Sequence, residues 1–371
     1  MKITSIEPFL LHVPVTGGSI ADSTHVVTHW GMPGCRVFTD SGHTGYGYTG
    51  THAALASDKL LTSCMAEVYG PLLLDEDPRE VETLHRKLSS HPPTHWVGRG
   101  GITQLALSAI DLALWDLKAK AAEVPLWSLL GGDSDKKVEA YNTDCGWLDR
   151  PVDKLVDDCR RMIEEKGFPA VKMKVGKPDP KEDLARVEAV RKGIGRDARL
   201  MVDANAKWDL LTALEYGPRL AAFDVEWFEE PLWHDDVQGH AQLAAAIDTP
   251  VALGELLYTL DQFREFVLAD AVHYLQPDAS RCGGLTILWQ VADLGHAYNL
   301  PVSPHHGDMM QAQIHTVFAH PACGQLEFIP WTLHCFEEPA LVSDGFYQAP
   351  QNPGAGTTLT EEAMEKYGVP I

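Results

Sequence analysis

Residues 170–205 read AVKMKVGKPDPKEDLARVEAVRKGIGRDARLMVDAN. A short apolar run ends in Lys172-Met173-Lys174, a helix-like stretch fills 181–194, and a second apolar run ends in Asp203. This is one strand–helix–strand unit, and the pattern repeats on both sides of it. Short apolar segments recur as VEAYN, AVKMKV, RLMVDAN, VEWFEEP, PVALGE, YLQPDA, LPVSPHH and QLEFIP between residues 138 and 330. Helical patterns at 153–166, 181–194, 209–222 and 284–298 separate several of them. Alternation of this kind argues for a parallel sheet, and seven or eight units in this length favour closure into a (β/α) barrel over an open sheet.

The flanks differ. Residues 1–15 and 35–49 alternate like strands, with Asp40-Ser41-Gly42 as a hairpin turn, and helical patterns follow at 53–70, 78–89 and 101–121. Residues 1–130 therefore read as an α+β capping domain, 131–330 as the barrel, and 331–371 as a C-terminal segment packing back onto the cap.

Acidic residues outnumber basic ones 52 to 30, giving a net charge of −22 over 371 residues. That balance repels phosphate backbones and anionic lipid, and no basic patch offsets it, so neither nucleic acid nor membrane is an expected partner. The start MKITSIEPFLLHVPV is too interrupted for a secretory signal, and no apolar run is long enough to span a bilayer. Seven scattered cysteines without a CxxC suit reduced thiols, so the reading is a cytoplasmic protein.

Polar residues stand in phase at the segment ends. From Lys174 the next are Asp203, Glu229, Glu255, Asp278, His305 and Glu327, at spacings of 29, 26, 26, 23, 27 and 22. A lone strand-end carboxylate is ordinarily a helix cap. A whole series, one per unit, instead converges on the barrel mouth, where such folds place their active sites. Asp203, Glu229 and Glu255 on consecutive strands would repel one another without a cation between them, and hard oxygen donors select Mg²⁺. Lys172 and Lys174 lie two apart, so both face one side of the strand. Two such ammonium groups depress each other's pKa, which suits a neutral lysine base. Asp278 beside His305 can fix an imidazole tautomer. In the tandem His305-His306 only one ring can face the site, and the register favours His305.

Taken together, KMK, VDAN, WFEEP, GE, QPDAS and SPHH, in this order, with SAIDLALWDLKAK and PLWSLLGG before them, resemble the mandelate racemase subgroup of the enolase superfamily. The resemblance covers nearly the whole chain. It implies an α/β fold, a modified (β/α)7β TIM-type barrel under an N-terminal α+β capping domain. It also implies Mg²⁺ held by Asp203, Glu229 and Glu255, Lys174 as one base assisted by Lys172, the His305–Asp278 dyad as the other, and Glu327 near the substrate carboxylate. The Gly307-Asp308-Met309-Met310 segment after the histidines departs from the common pattern.

Members with such a set are mostly acid-sugar dehydratases, so the expected substrate is a sugar acid bearing a carboxylate. A cycloisomerase of anhydrogalactonate type, or a racemase or epimerase of a 2-hydroxy acid, stands as the alternative. The stretch His25–Trp30 and GYGYTG suit a polyhydroxylated ligand, which makes His25, Trp30 and Tyr48, with Asn205 of VDAN, the candidate substrate-binding residues. Gly45-Tyr46-Gly47-Tyr48-Thr49-Gly50 matches GxGxxG, but it follows a hairpin rather than opening a parallel unit, so it reads as a flexible cap loop and not a dinucleotide site. A non-catalytic barrel would have lost at least one group of the set, and none is missing. Acidic barrels of this size commonly assemble into symmetric homo-oligomers.

Overall fold

The computed structural model describes residues 1–306 and 310–371, so Gly307, Asp308 and Met309 of the divergent segment lie outside the described residues. The six strands Glu139–Asn142, Ala170–Lys174, Arg199–Asp203, Val225–Glu229, Val251–Leu253 and Tyr274–Leu275 pair in chain order, each parallel to the next. Val302 then bridges Leu275 and Cys323, and the strand Gln325–Phe328 pairs in parallel with Glu139–Asn142. The sheet closes on itself. Helices Val152–Glu164, Pro180–Ile194, Leu210–Leu220, Val237–Ala244, Leu260–Leu268, Leu285–Ala297 and Met310–Ala319 fill the seven crossings.

One strand is much shorter than the sequence suggests. The segment at 300–306 contributes a single bridging residue, Val302, because Pro301 and Pro304 flank it. Proline lends no N–H to a ladder, so positions 301 and 304 donate nothing and only scattered bonds, Ser303 N–H to the Leu275 carbonyl and His305 N–H to the Pro277 carbonyl, flank the bridge.

Side-chain alternation builds the barrel interior in layers. Tyr141, Ala170, Met201, Trp227 and Ala252 form a buried floor with the half-buried Tyr274 packed against it, Trp227 lying edge-on to Tyr141 at 5.4 Å and tilted against Tyr274 at 5.1 Å. Two residues further along the same strands stand Thr143, Lys172, Asp203, Glu229, Gly254 and Gln276. The floor is therefore apolar and the layer above it polar and charged. Gly254 is required there, since its φ is +150° and a Cβ would come within 2.7 Å of the Gln276 backbone.

The cap is an antiparallel sheet of Ile3–Pro14, His29–Thr39 and Thr44–Tyr48, with the turn at Asp40–Gly42, packed on the helix Ile102–Ala121. The second strand begins at His29, six residues before the alternation suggests. The GxGxxG stretch is also different from its sequence reading. It is mostly strand, not flexible loop, and its glycines admit the helix: a Cβ on Gly45 or Gly47 would lie 2.3 Å from the Ala113 carbonyl oxygen or 1.8 Å from that of Ala109.

The C-terminal segment touches both parts. Phe346 pairs with Glu139 of the barrel, while Val369 donates its N–H to the Leu10 carbonyl of the cap at 2.8 Å. Among the described residues no helix is long and apolar enough to cross a membrane, and all seven cysteines are buried and free.

Candidate active site

A cavity of about 230 Å³ lies between the barrel mouth and the cap. The barrel lines it with Trp147, Lys174, Asn205, Glu230, Glu255, Arg281, His305 and Glu327, and the cap with Asp22, His25, Trp30 and His52. Lys172, Asp203, Glu229 and Asp278 stand directly behind that lining as buried partners.

The polar layer is tightly paired. Lys172, fully buried, places Nζ 2.5 Å from Glu229 Oε1, 2.9 Å from Glu327 Oε1 and 3.7 Å from Asp203 Oδ2. Lys174 Nζ donates to Asp203 Oδ2 at 2.5 Å and lies 5.7 Å from the Trp147 ring centroid. Both lysines face inward together, as their spacing predicts. Their protonation differs from the sequence expectation. Burial lowers the pKa of each and Lys172 lowers that of Lys174, but the carboxylates prevail. Glu229 and Glu327 hold Lys172 well above the usual lysine range, and Asp203 does the same for Lys174. The mutual repulsion of the two ammonium groups is a minor influence beside three carboxylates.

Glu229 also accepts from Trp227 Nε1 at 2.9 Å and Gln276 Nε2 at 2.7 Å. Burial pushes its carboxyl up to about 7 against the opposing pull of Lys172. Glu327 Oε1 accepts from the Thr143 hydroxyl at 2.5 Å and Oε2 from the His306 N–H at 3.0 Å. Burial raises its pKa, and Lys172 with His305 outweighs this and brings it down to about 2.

The histidine wall is equally defined. His305 Nδ1 lies 2.8 Å from Asp278 Oδ2, and Nε2 lies 2.6 Å from Glu255 Oε2. Burial disfavours the imidazolium, yet Glu255 and Asp278 hold it well above the ordinary histidine range. His306 is buried off the cavity, and burial lowers its pKa to about 3, so its ring is neutral. The structure thus puts His305, not His306, at the mouth.

Asp203 and Glu229 end adjacent strands and pair in register, and Glu255 follows the next strand, Val251–Leu253, by two residues. Each carboxylate here turns to a cation: Lys174, Lys172 and His305 respectively. Among the described residues no three His, Cys, Asp or Glu side chains gather closely enough to hold a metal ion. The donor chemistry nevertheless fits a hard divalent cation, for the set is all oxygen and two further buried oxygens, Asn205 Oδ1 and Glu230 Oε2, have no hydrogen-bond partner among the described residues.

Of the cap candidates, His25 and Trp30 line the cavity. Tyr48 does not. It is buried beside Phe336, ring centroids 5.5 Å apart, because its strand position faces the cap interior. Asn205 reaches the cavity from a left-handed turn at φ 45°, with its N–H on Asp203 Oδ1 at 2.8 Å.

Sequence reasoning missed Glu230, Trp147, Arg281 and His52. Glu230 enters the cavity because its φ of 39° breaks the alternation that would otherwise face it away from Glu229. Burial, and then Glu255, Asp203 and Glu229, raise its carboxyl well above the usual range. Arg281 could have been suspected from its place three residues after Asp278. His52 carried no local signal.

Residues 9–131 match the family model of the mandelate racemase / muconate lactonizing enzyme N-terminal domain, and residues 154–363 match that of the enolase C-terminal domain-like family. The chain belongs to the mandelate racemase / muconate lactonizing enzyme family of the enolase superfamily. It is 39% identical over 291 residues to an L-talarate/galactarate dehydratase of Salmonella typhimurium, covering 78% of this chain and 72% of that one. It is 36% identical over 359 residues to a 3,6-anhydro-alpha-L-galactonate cycloisomerase of Streptomyces coelicolor, covering 94% and 95%. Among solved structures, a racemase from Streptomyces coelicolor with bound magnesium superposes with a TM-score of 0.92 at 34% identity, over 99% of this chain and 100% of that one. An L-talarate dehydratase from Polaromonas sp. complexed with Mg and L-glucarate gives 0.88 at 34% identity, over 100% and 98%.

Proposed function

We propose that this chain is a Mg²⁺-dependent acid-sugar dehydratase. It removes the proton α to a sugar-acid carboxylate, passes through an enediolate and expels the 3-hydroxyl to give a 2-keto-3-deoxy sugar acid. The observation that carries this reading is that Lys174 and His305, each fixed by its own carboxylate, line different walls of one cavity.

Asp203, Glu229 and Glu255 are the residues that would hold the cation. When bound, Mg²⁺ supplies positive charge that favours loss of the α-proton next to a carboxylate. The other groups do the proton work. Lys174, once its pairing with Asp203 is relieved, takes the α-proton on one face, and Lys172 beneath it keeps Glu327 and Glu229 in place. On the other wall Asp278 holds Nδ1 of His305, which leaves Nε2, once its pairing with Glu255 is relieved, as the atom that faces substrate. A protonated His305 returns a proton to the departing hydroxyl, so water leaves and the enol becomes the ketone. Each positioned proton-transfer group contributes roughly 10²–10⁴-fold. His25, Trp30 and Asn205 border the space left for the hydroxylated chain.

Cycloisomerisation is the second reading, favoured by the cycloisomerase relative matching over 94% of this chain. The two differ in mass balance. Incubation of the Mg²⁺-loaded protein with a panel of sugar acids, read by mass spectrometry, gives a product lighter by one water for a dehydratase. A product of unchanged mass from an anhydro sugar acid supports the cycloisomerase instead. Turnover of neither class overturns both.

A further inference from the structure

Asp278, whose carboxylate lies 2.8 Å from His305 Nδ1, is followed by a short loop and then by the barrel helix Leu285–Ala297. That helix starts without a cap of its own. Its N-cap position is Gly284, which has no side chain to accept from the first free N–H groups. The acceptor comes from the capping domain instead. Asp111, on the helix Ile102–Ala121, takes the Thr286 N–H on Oδ2 at 3.0 Å and the Thr286 hydroxyl on Oδ1 at 2.6 Å. A carboxylate is also the charge that a helix N-terminus favours. Gly284 has φ +94°, and a Cβ there would lie 2.1 Å from Asp111 Oδ2. The residue that cannot cap the helix is thus the one that admits Asp111.

The capping domain also grips the loop between Asp278 and this helix. Ser108 Oγ accepts the Gly283 N–H at 2.8 Å, Gln104 Nε2 donates to the Cys282 carbonyl at 3.1 Å, and the Thr49 hydroxyl donates to the Ser280 carbonyl at 2.6 Å. Asp278 is tied to the same loop. Its Oδ1 accepts from the Ser280 N–H and hydroxyl, both at 2.7 Å, and its carbonyl accepts from the Cys282 N–H at 2.8 Å. A shift at Gly283 or Thr286 therefore reaches the carboxylate that orients His305. Lys174 is held otherwise. Its N–H donates to the Gly146 carbonyl at 2.8 Å and its Nζ to Asp203 at 2.5 Å, both within the barrel.

We infer that Asp111 is a positioning residue for the His305–Asp278 base, assisted by Ser108, so that the capping domain sets the geometry of one of the two bases and not of the other. Both residues are buried, neither lines the cavity, and they act through the loop after Asp278. This rests on the two-base reading of the site and goes beyond it. A carboxylate that only stabilised the fold would slow both bases alike.

The test is C2 proton exchange in deuterated water on the Mg²⁺-loaded protein. The probes are C2-epimer pairs: galactarate with talarate, glucarate with mannarate, galactonate with talonate, and gluconate with mannonate. His305→Asn and Lys174→Ala first assign each epimer to its base. Asp111→Ala lowers exchange of the His305 epimer about 100-fold, the cost of a misplacement of about 1 Å, and leaves that of the Lys174 epimer close to the parent's. Asp111→Asn, which keeps an oxygen for the Thr286 N–H, restores most of the loss. Ser108→Ala removes one hydroxyl and shows the same one-sided fall to a smaller degree, which decides the matter where Asp111→Ala does not fold. Equal falls for both epimers, or no fall for either, overturn the inference and leave the two-base reading intact. Exchange with none of the probes, or no difference between epimers in His305→Asn and Lys174→Ala, overturns that reading, and the inference with it.

Discussion

Lys172→Met removes the cation at the centre of the polar layer while keeping most of the side-chain volume. The ammonium lies 2.5 Å from Glu229, 2.9 Å from Glu327 and 3.7 Å from Asp203, and all four residues are buried. Methionine leaves no large cavity, so the loss is electrostatic: three buried carboxylates remain with Lys174 and His305 as their near cations. Removing one partner of a buried ion pair costs about 3–5 kcal/mol. That is a large share of a typical domain's total of about 5–15 kcal/mol. Urea unfolding in EDTA at pH 7.5 reads it directly as a lower midpoint. At pH 5 the difference shrinks, because a proton can replace the missing charge on Glu229, whose carboxyl is already displaced upward to about 7. Addition of Mg²⁺ also recovers part of the loss. A variant as stable as the parent in EDTA at pH 7.5 refutes the claim that Lys172 neutralises this layer.

Two further outcomes follow from the same geometry. Activity is lost in EDTA and restored by Mg²⁺, and Asp203→Asn and Glu255→Gln each weaken Mg²⁺ binding at least about 100-fold by calorimetry, since even outer-shell changes cost about 10–100-fold; unchanged binding removes these residues from the metal site. Asp278 resists protonation despite burial, because His305 and Arg281 lower its carboxyl to about 2 from 3.8. A depressed carboxyl stabilises the fold above its unfolded pKa, and that contribution fades as pH falls from about 4 through 2, so Asp278→Asn is less stable by about 2 kcal/mol at pH 7 and converges with the parent near pH 2. A pH-independent difference in the urea midpoint contradicts that origin.

The barrel was legible because its signal is periodic. Polar residues recur every 22 to 29 positions at strand ends, and alternation by two is enough to put Lys172 and Lys174 on one face. What failed was local or long-range in a way that periodicity does not carry. The seventh strand shrinks to Val302 because prolines flank it, although its apolar pattern looks like its neighbours'. Gly45 and Gly47 look like a loop signature until the helix that crosses them is known. The lysine protonation turned on distances to Glu229, Glu327 and Asp203, which no spacing encodes. Tyr48 and Trp30 both sit on cap strands with similar chemistry, and only the packing against Phe336 takes Tyr48 away from the cavity. Arg281 and His52 are 229 positions apart in the chain, and they meet only when the cap closes on the barrel.

The most direct test is C2 proton exchange in deuterated water, followed by NMR on the two C2 epimers of an accepted sugar acid. With Lys174 and His305 on different walls, Lys174→Ala abolishes exchange for one epimer and spares some for the other. His305→Asn does the reverse, and His306→Asn does neither. Loss of both exchanges in either single variant, or control of exchange by His306, contradicts the two-base site.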